Sequence, residues 1–535
     1  MTNPVWKNPD AVTMPQLLRE AARKWPDKTY LDFSGETYSF AEIDRRSNRL
    51  AHGLAALGVM QGSTVCSFLD SGVDALLVWF AVVKLGAVIV PINTAFKGEF
   101  LRHQISDARA RVIIMESHYV DRLIGIEESL PEMKTLVTRG EPTVVETRLA
   151  RGSFESLFTN DETHPAVEIK PGDLATLLYT SGTTGPSKGC MVSHNYGVIG
   201  GAEMFSTQKI GHDDVVWIAL PLFHLAAISM VMGCLFDGAT LAITKRFSVS
   251  GFWPEIERCG ATAMFGLASM FPMIADAPET EAERRCYGQL RCVFGAPFLR
   301  EMQDRWKERF GVRQTAPAGY GMTECAPICS YPGHEVPPAA TGKPVPWIEV
   351  RIVDDEGIEV PPGVPGEIVI RPKIPYVMFD GYWQRPQATA DATHGLWFHC
   401  GDIGKIDAEG YFYFVDRKKD YLRYRGENIS SYELEMAFRA HPEVADVAIH
   451  AVLSAFSEDE VKATVVRHEG ASLSEHDLCL WSIERLPYFC VPRFIEFRPE
   501  LPRNAVGRVL KYELRKEGVT AATWDREAAG IKVKR

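Results

Sequence analysis

The sequence predicts an α/β protein: a large N-terminal domain of parallel-rich αβ layers, a small β-barrel-like subdomain, and a small α+β C-terminal lid. Three observations predict it. Strand and helix patterns alternate through the first 190 residues and again from Val215 to Phe310, the rhythm of parallel sheets covered by helices. After about residue 340 the apolar runs become short and are separated by DDEG, PPG and DAEG turns, which reads as antiparallel β structure. At Arg417 the chain turns charged (RKKD) and then restarts with new helix and strand signals. The expected boundaries are therefore residues 1–416 for the N-terminal domain, with its β-rich part at about 340–416, and 417–535 for the lid.

Each element has its own signal. Ser39 to Leu57 reads as an amphipathic helix with Leu50, Leu54 and Leu57 on its apolar side. Ser63 to Phe68 is β-prone. The most apolar stretch, Val73 to Ile92, contains Asp74, Lys84, Gly86 and Pro91. A membrane span needs about 20 apolar residues with few charges, so no span is expected there. A buried helix (Leu76 to Leu85) and a buried strand (Ala87 to Val90) are expected instead. ARVIIM, ending at Met115, and Leu174 to Leu178 read as strands, and a helical pattern starts near Ser193. ATLAIT, ATAMFG and RCVFG read as further buried strands, and IEVRIVD, GEIVIRP and GYFYFVD as the antiparallel set.

Composition narrows the function classes. The 535 residues are 46% hydrophobic and 24% charged, the balance of a globular protein. The net charge of −11 repels phosphate backbones, so nucleic acid is not an expected partner. Eleven cysteines occur without a CxxC pair, and the spacing of Cys325 and Cys329 fits no zinc ribbon. Buried, reduced thiols and a cytoplasmic location are expected. The first residues lack a basic head followed by an apolar run, so no signal peptide is expected.

The strongest motif is Tyr179-Thr-Ser-Gly-Thr-Thr-Gly-Pro-Ser-Lys-Gly189. Gly182 and Gly185 let backbone N–H groups turn toward a ligand. Thr180, Ser181, Thr183 and Thr184 add hydroxyl donors, and Lys188 adds a positive charge. Such a loop can hold a polyphosphate. It is not a Walker A loop, because the glycine spacing does not satisfy GxxxxGK[ST].

This loop resembles the phosphate loop of the adenylate-forming enzymes, which include acyl-CoA synthetases, luciferases and peptide-synthetase adenylation domains. Further ordered segments look like the family's other core motifs: Pro221-Leu-Phe-His224, Gly319-Tyr-Gly-Met-Thr-Glu324, Trp397-Phe-His-Cys-Gly-Asp402, and Asp416-Arg-Lys-Lys-Asp420 followed by Gly426-Glu-Asn and Glu433-Leu-Glu435. PINTAFKGEF (91–100) and the layout look most like bacterial crotonobetaine/carnitine-CoA ligases and related acyl-CoA ligases. The resemblance implies an ATP-dependent, AMP-forming acid–CoA ligase. Its substrates would be a small carboxylic acid, ATP and coenzyme A, with Mg²⁺ as cofactor. A homodimer is among the assemblies it allows.

It also implies roles. Tyr320 would lie against the adenine, with Gly295, Ala296 and Pro297 letting backbone approach the base edge. Thr323 would meet the α-phosphate and Glu324 would help hold Mg²⁺. Asp402 would accept both ribose hydroxyls, reinforced by Arg417. His224 would sit where the acid's carboxylate meets the α-phosphate. Lys419 would be the hinge between two lid poses, and Gly426 would let a pantetheine arm pass.

The sequence departs from the family at the lid's end. A PRxxxGK pattern normally supplies a lysine that bridges carboxylate and α-phosphate. Here Arg508 holds that position and Lys511 follows three residues later. Either could supply the cation. Transfer of the acyl-adenylate to a carrier protein remains an alternative, as does a nucleotide-binding protein with impaired catalysis. The presumed acid-pocket segments, 223–233, 265–271 and 315–321, are small and apolar and contain no acidic residue. An uncharged acyl tail of medium size is expected.

Overall fold

Strands that are apolar along their whole length are built for burial on both faces. In the computed structural model, such strands form the middle of two large sheets, while the edge strands Glu36–Ser39 and Ala150–Ser153 are more polar and more exposed. The structure describes residues 12–141, 145–180, 186–267, 270–296, 298–417, 421–424, 427–453, 459–503 and 509–533. The first sheet runs in the order Gln314–Pro317, Cys292–Ala296, Ala263–Leu267, Val215–Ile218, Thr240–Ile243, Thr29–Phe33, Glu36–Ser39. All its neighbours are parallel except the last pair, a hairpin. The second runs Ala150–Ser153, Thr135–Arg139, Val112–Glu116, Thr64–Phe68, Val88–Pro91, Leu174–Thr180, Lys188–Ser193. Its first six strands are parallel to their neighbours.

The helices follow their sequence signals closely. Phe40–Ala56 begins where Ser39 accepts a hydrogen bond from the N–H of Glu42 at 3.2 Å, satisfying one of the helix's open donors. Its buried face carries Phe40, Ile43, Leu50 and Leu54. The apolar stretch forms the helix Val73–Lys84, three residues longer at its start than its pattern suggests. Lys84 is buried at its end. The ammonium donates to the Asp44 carboxylate at 2.7 Å, Asp44 O at 2.9 Å, and Ser47 Oγ and Asn48 Oδ1 at 2.7 Å each. Burial lowers the Lys84 pKa to about 8 even with Asp44 beside it.

One element differs from expectation. Between the phosphate-loop tract and the helix His194–Gln208 the chain inserts the strand Lys188–Ser193. That helix packs closely on Leu225–Asp237. A Cβ at Gly201 would sit 2.1 Å from Ser229 O, and one at Gly233 would sit 2.5 Å from the Phe205 ring. Only glycine permits such backbone approach.

The segment after Gln314–Pro317 is antiparallel. The hairpin Tyr320–Met322/Cys325–Ser330 pairs with Lys343–Pro344. A second sheet joins Ile348–Val353, Gly366–Pro372, Trp397–Ile406, Thr393–His394 and Phe412–Arg417. The α/β fold class expected from sequence is the one observed.

Contacts divide the chain into two compact units. The first comprises Met1–Thr94, Ile105–Leu178 and Gly189–Asp416; the second comprises Ala95–Gln104, Tyr179–Lys188 and Arg417–Arg535. In the second, Val444–Leu453, Asp459–Arg467, Phe494–Phe497 and Trp524–Asp525 form a mixed sheet, with a hairpin at Tyr421–Tyr424/Glu427–Ser430. Leu422, Leu434, Phe438, Val447, Ile449, Leu478 and Ile495 are among its core residues. All eleven cysteines are free thiols and only Cys259 is partly exposed. Among the described residues, no helix is long and apolar enough to cross a membrane.

Candidate active site

The hairpin beginning at Tyr320 and the strand Trp397–Ile406 bring two of the expected site residues into contact. Tyr320 Oη donates to Asp402 Oδ2 at 2.7 Å. Burial pushes the phenol pKa well up, so the hydroxyl stays protonated and available as the donor. The Tyr320 ring stacks on Phe412 with centroids 4.9 Å apart and planes 24° apart, and Phe414 lies 5.9 Å away. The backbone is shaped for this. Gly319 has φ +104° and a Cβ there would meet Cys329 O at 2.1 Å; Gly401, just before Asp402, has φ +71°. Neither position tolerates an ordinary side chain without strain.

Thr323 and Glu324 form the hairpin's turn. Thr323 O accepts from Tyr196 Oη at 2.9 Å. The Glu324 carboxylate, 5% exposed as a residue, accepts from Tyr382 Oη at 2.7 Å, and its carbonyl accepts from the N–H of Phe379 at 2.8 Å. A carboxylate fixed in this way suits a hard divalent cation that takes its other ligands from phosphate and water. Among the described residues, no group of three or more His, Cys, Asp and Glu side chains could hold a metal.

Gly295 and Ala296 end the strand Cys292–Ala296. A Cβ at Gly295 would sit 2.2 Å from Gly266 O and 2.5 Å from the Phe271 ring, so strand packing alone demands glycine there. Pro297 lies outside the described residues. His224 is the N-cap residue of Leu225–Asp237, half-buried, its ring 4.6 Å from that of Phe223. Arg417 ends the strand Phe412–Arg417.

In the second unit, Thr180 ends one strand and Lys188 begins the next. Ser181, Gly182, Thr183, Thr184 and Gly185 lie outside the described residues, as do Lys419, Gly426 and Arg508. Lys511 is described. It begins the helix Lys511–Glu517, and its ammonium is 2.7 Å from Glu435 Oε1 and 2.8 Å from Ser431 Oγ. Glu435 Oε1 also accepts from the N–H of Ile449 at 2.8 Å. Lys511 is thus fastened inside its own unit.

Sequence reasoning missed Tyr382, Tyr196 and Phe412. Tyr382 sits in DGYW, an aromatic pair in a turn that could have drawn notice. Tyr196 and Phe412 carry no local signal, because their partners are far away in sequence.

A family profile described as AMP-binding enzyme matches residues 18–383, and one described as AMP-binding enzyme C-terminal domain matches residues 433–508. The chain belongs to the AMP-binding enzyme family. This AMP-binding enzyme is 32% identical to a long-chain-fatty-acid–CoA ligase of Escherichia coli O6:H1 over 543 residues, covering 95% of each chain. It is 32% identical to a feruloyl-CoA synthase of an Amycolatopsis species, over 92% of this chain and 97% of that one. A crotonobetaine/carnitine–CoA ligase of Salmonella arizonae is 29% identical, over 94% and 98%. Among solved structures, an o-succinylbenzoate CoA synthetase from Bacillus subtilis bound to a product analogue superposes with TM-score 0.80 at 25% identity, over 96% and 100%. ATP-bound MatB from Rhodopseudomonas palustris superposes with TM-score 0.67 at 28% identity, over 94% and 99%.

Proposed function

We propose that this AMP-binding enzyme is an AMP-forming carboxylic acid–CoA ligase. The observation that carries the reading is the Tyr320–Asp402 pair, placed by backbone that only glycine can supply, within a chain that matches CoA ligases along almost its whole length. Asp402 accepts the ribose hydroxyls and Tyr320 offers its ring to the adenine. The backbone N–H groups and Lys188 of the loop hold the triphosphate. Thr323 contacts the α-phosphate and Glu324 holds Mg²⁺, which would screen the phosphate charge. A carboxylate oxygen of the acid attacks the α-phosphorus, the bond to the β-phosphate's bridging oxygen breaks, and pyrophosphate leaves. The coenzyme A thiolate then attacks the acyl carbonyl carbon, the acyl–phosphate bond breaks, and AMP leaves.

A cation must bridge carboxylate and α-phosphate in the first step. We assign it to Arg508; the engagement of Lys511 with Glu435 and Ser431 supports that choice. The relatives above are named for a long-chain fatty acid, for feruloyl-CoA, and for crotonobetaine or carnitine, at similar identity, so they do not select among acids. The apolar segments 223–233, 265–271 and 315–321 favour an uncharged acyl tail of medium size. The deciding assay supplies purified protein with MgATP and a panel of acids and measures pyrophosphate, AMP and acyl-CoA. Acid-dependent AMP release that ignores coenzyme A would reject CoA ligation and favour a carrier thiol. ATP binding with no acid-dependent pyrophosphate would reject catalysis.

A further inference from the structure

Glu324 sits in a short turn that long-range hydrogen bonds hold at three different atoms. Tyr196 Oη, from the helix His194–Gln208, donates to Thr323 O at 2.9 Å. The N–H of Phe379 donates to Glu324 O at 2.8 Å. Tyr382 Oη donates to Glu324 Oε1 at 2.7 Å, and this bond reaches the carboxylate itself. Tyr382 is in turn tightly placed. It is buried, and the Phe379 ring meets its ring edge-on at 5.1 Å. The segment around it runs antiparallel to the strand Lys188–Ser193. The N–H groups of Asp380 and Trp383 donate to Met191 O at 2.9 Å and Gly189 O at 2.7 Å, and the N–H of Met191 donates to Gly381 O at 3.0 Å. The Tyr382 N–H donates to Thr389 Oγ1 at 2.9 Å. All the residues making these hydrogen bonds belong to the first unit. A phenol packed so firmly has little freedom to leave the carboxylate oxygen it holds.

We propose that Tyr382 is a positioning residue that sets which divalent cation accompanies the nucleotide, by holding Glu324 as a one-oxygen ligand. The proposal rests on the assignment of Glu324 to Mg²⁺ in the ligase reading. A charge-assisted O–H···O⁻ bond at 2.7 Å engages Oε1. The two oxygens of the carboxylate are then inequivalent, and a cation is held through one of them rather than gripped by both. Such a ligand suits Mg²⁺, which demands near-ideal octahedral geometry and keeps several waters. Ca²⁺ is larger, takes more oxygens in looser geometry, and gains from a carboxylate that grips it with both. Removing the phenol hydroxyl releases Oε1 and loosens the carboxylate. The release favours Ca²⁺ and the loosening weakens Mg²⁺. A tyrosine that merely filled space would treat the two metals alike. Groups that orient a metal's ligand in this way cost about 10–100-fold in metal affinity when removed.

The test measures ATP binding without acid or coenzyme A, so that no turnover enters. Calorimetry gives the dissociation constant of ATP with EDTA, with saturating Mg²⁺ and with saturating Ca²⁺. For the wild type, Mg²⁺ should tighten binding more than Ca²⁺ does. Tyr382→Phe should lose about tenfold of the Mg²⁺ tightening and less of the Ca²⁺ tightening, and should keep the EDTA value within about twofold. The Mg²⁺ concentration that half-saturates acid-dependent ATP–pyrophosphate exchange should rise by about tenfold as well. Thr389→Val removes the acceptor of the Tyr382 N–H and loosens the phenol indirectly. It should shift the Mg²⁺-to-Ca²⁺ ratio in the same direction by less, and it decides the matter if Tyr382→Phe folds poorly. Tyr196→Phe releases Thr323 O but leaves Glu324 Oε1 engaged, so it should weaken ATP equally with either metal. Wild-type binding that gains nothing from Mg²⁺ would remove the Glu324 assignment and this inference together. Three results would leave that assignment standing and overturn the proposal alone: no wild-type preference for Mg²⁺ over Ca²⁺, an unshifted ratio in the folded variant, or equal loss with EDTA, Mg²⁺ and Ca²⁺. A shifted ratio in Tyr196→Phe would also overturn it, since rigidity of the turn would then set the preference.

Discussion

Replacing Lys511 with alanine should damage the fold of the second unit, whereas replacing Arg508 should damage the chemistry. The Lys511 and Glu435 side chains are 14% and 10% exposed and lie 2.7 Å apart. Removing one member of a buried pair costs about 3–5 kcal/mol, because the other charge is stranded. Glu435 keeps the Ile449 N–H, which brings the expected loss for Lys511→Ala below that range, to about 2–3 kcal/mol. With a typical urea dependence, that lowers the unfolding midpoint by about 1 M. Glu435→Gln should lose less, and the Lys511→Ala, Glu435→Gln double variant should fall short of the summed losses, since the two sites interact. Arg508→Ala should leave the midpoint unchanged and cut acid-dependent ATP–pyrophosphate exchange by about 10²–10³, the cost of one charge-stabilising donor. Thioester formation from preformed adenylate should barely change. Arg508→Lys should keep most of the exchange activity. Denaturation and exchange are measured on the same preparations. A Lys511→Ala protein with native stability and lost exchange would make Lys511 the bridging cation and refute this reasoning.

Asp402→Ala should raise KM for ATP while leaving the melting temperature near that of wild type, since Asp402 is only half-buried; an unchanged KM would remove it from the site. Tyr320→Phe keeps the ring stacked on Phe412 but loses the 2.7 Å bond to Asp402, and should raise KM for ATP by about tenfold, the worth of a charge-assisted hydrogen bond. Acid sensitivity should follow His194, which is fully buried, with no hydrogen-bond partner for Nε2 among the described residues. Burial pushes its pKa down to about 4, outweighing the nearby Asp173. A folded pKa below the unfolded value of about 6.5 gives stability that is complete above pH 6.5 and lost as pH falls toward 4, about 3 kcal/mol in all. Melting temperature against pH for wild type and His194→Gln tests this, and the variant's slope over that window should be shallower.

The fold was legible because its strands announce themselves. ATAMFG and RCVFG are short, apolar and followed by helices, and both emerge as neighbours in the first sheet. Lys188–Ser193 was not legible, since KGCMVS opens with a lysine and a glycine and offers an apolar run of only three residues. In the site, YGMTE and WFHCGD stand out as motifs, yet nothing local says that the Tyr320 hydroxyl reaches Asp402. The same holds for Lys84, whose acceptors lie on a different helix, and for Lys511, whose partners precede it by many residues. Pairings made by the tertiary fold leave no periodic trace, while runs that must be buried do.

The Tyr320–Asp402 contact ties two recognition events to one phenol. On the proposed assignment, the ring that flanks the base also steadies the group that grips the sugar. A nucleotide whose base seats badly would tilt the ring and draw the hydroxyl off the carboxylate, so the penalty for a wrong base would spread to the ribose. Discrimination against GTP and against 2′-deoxy-ATP should then be non-additive, and 2′-deoxy-GTP should lose less than the two penalties summed. In Tyr320→Phe the link is cut, and the two penalties should become independent.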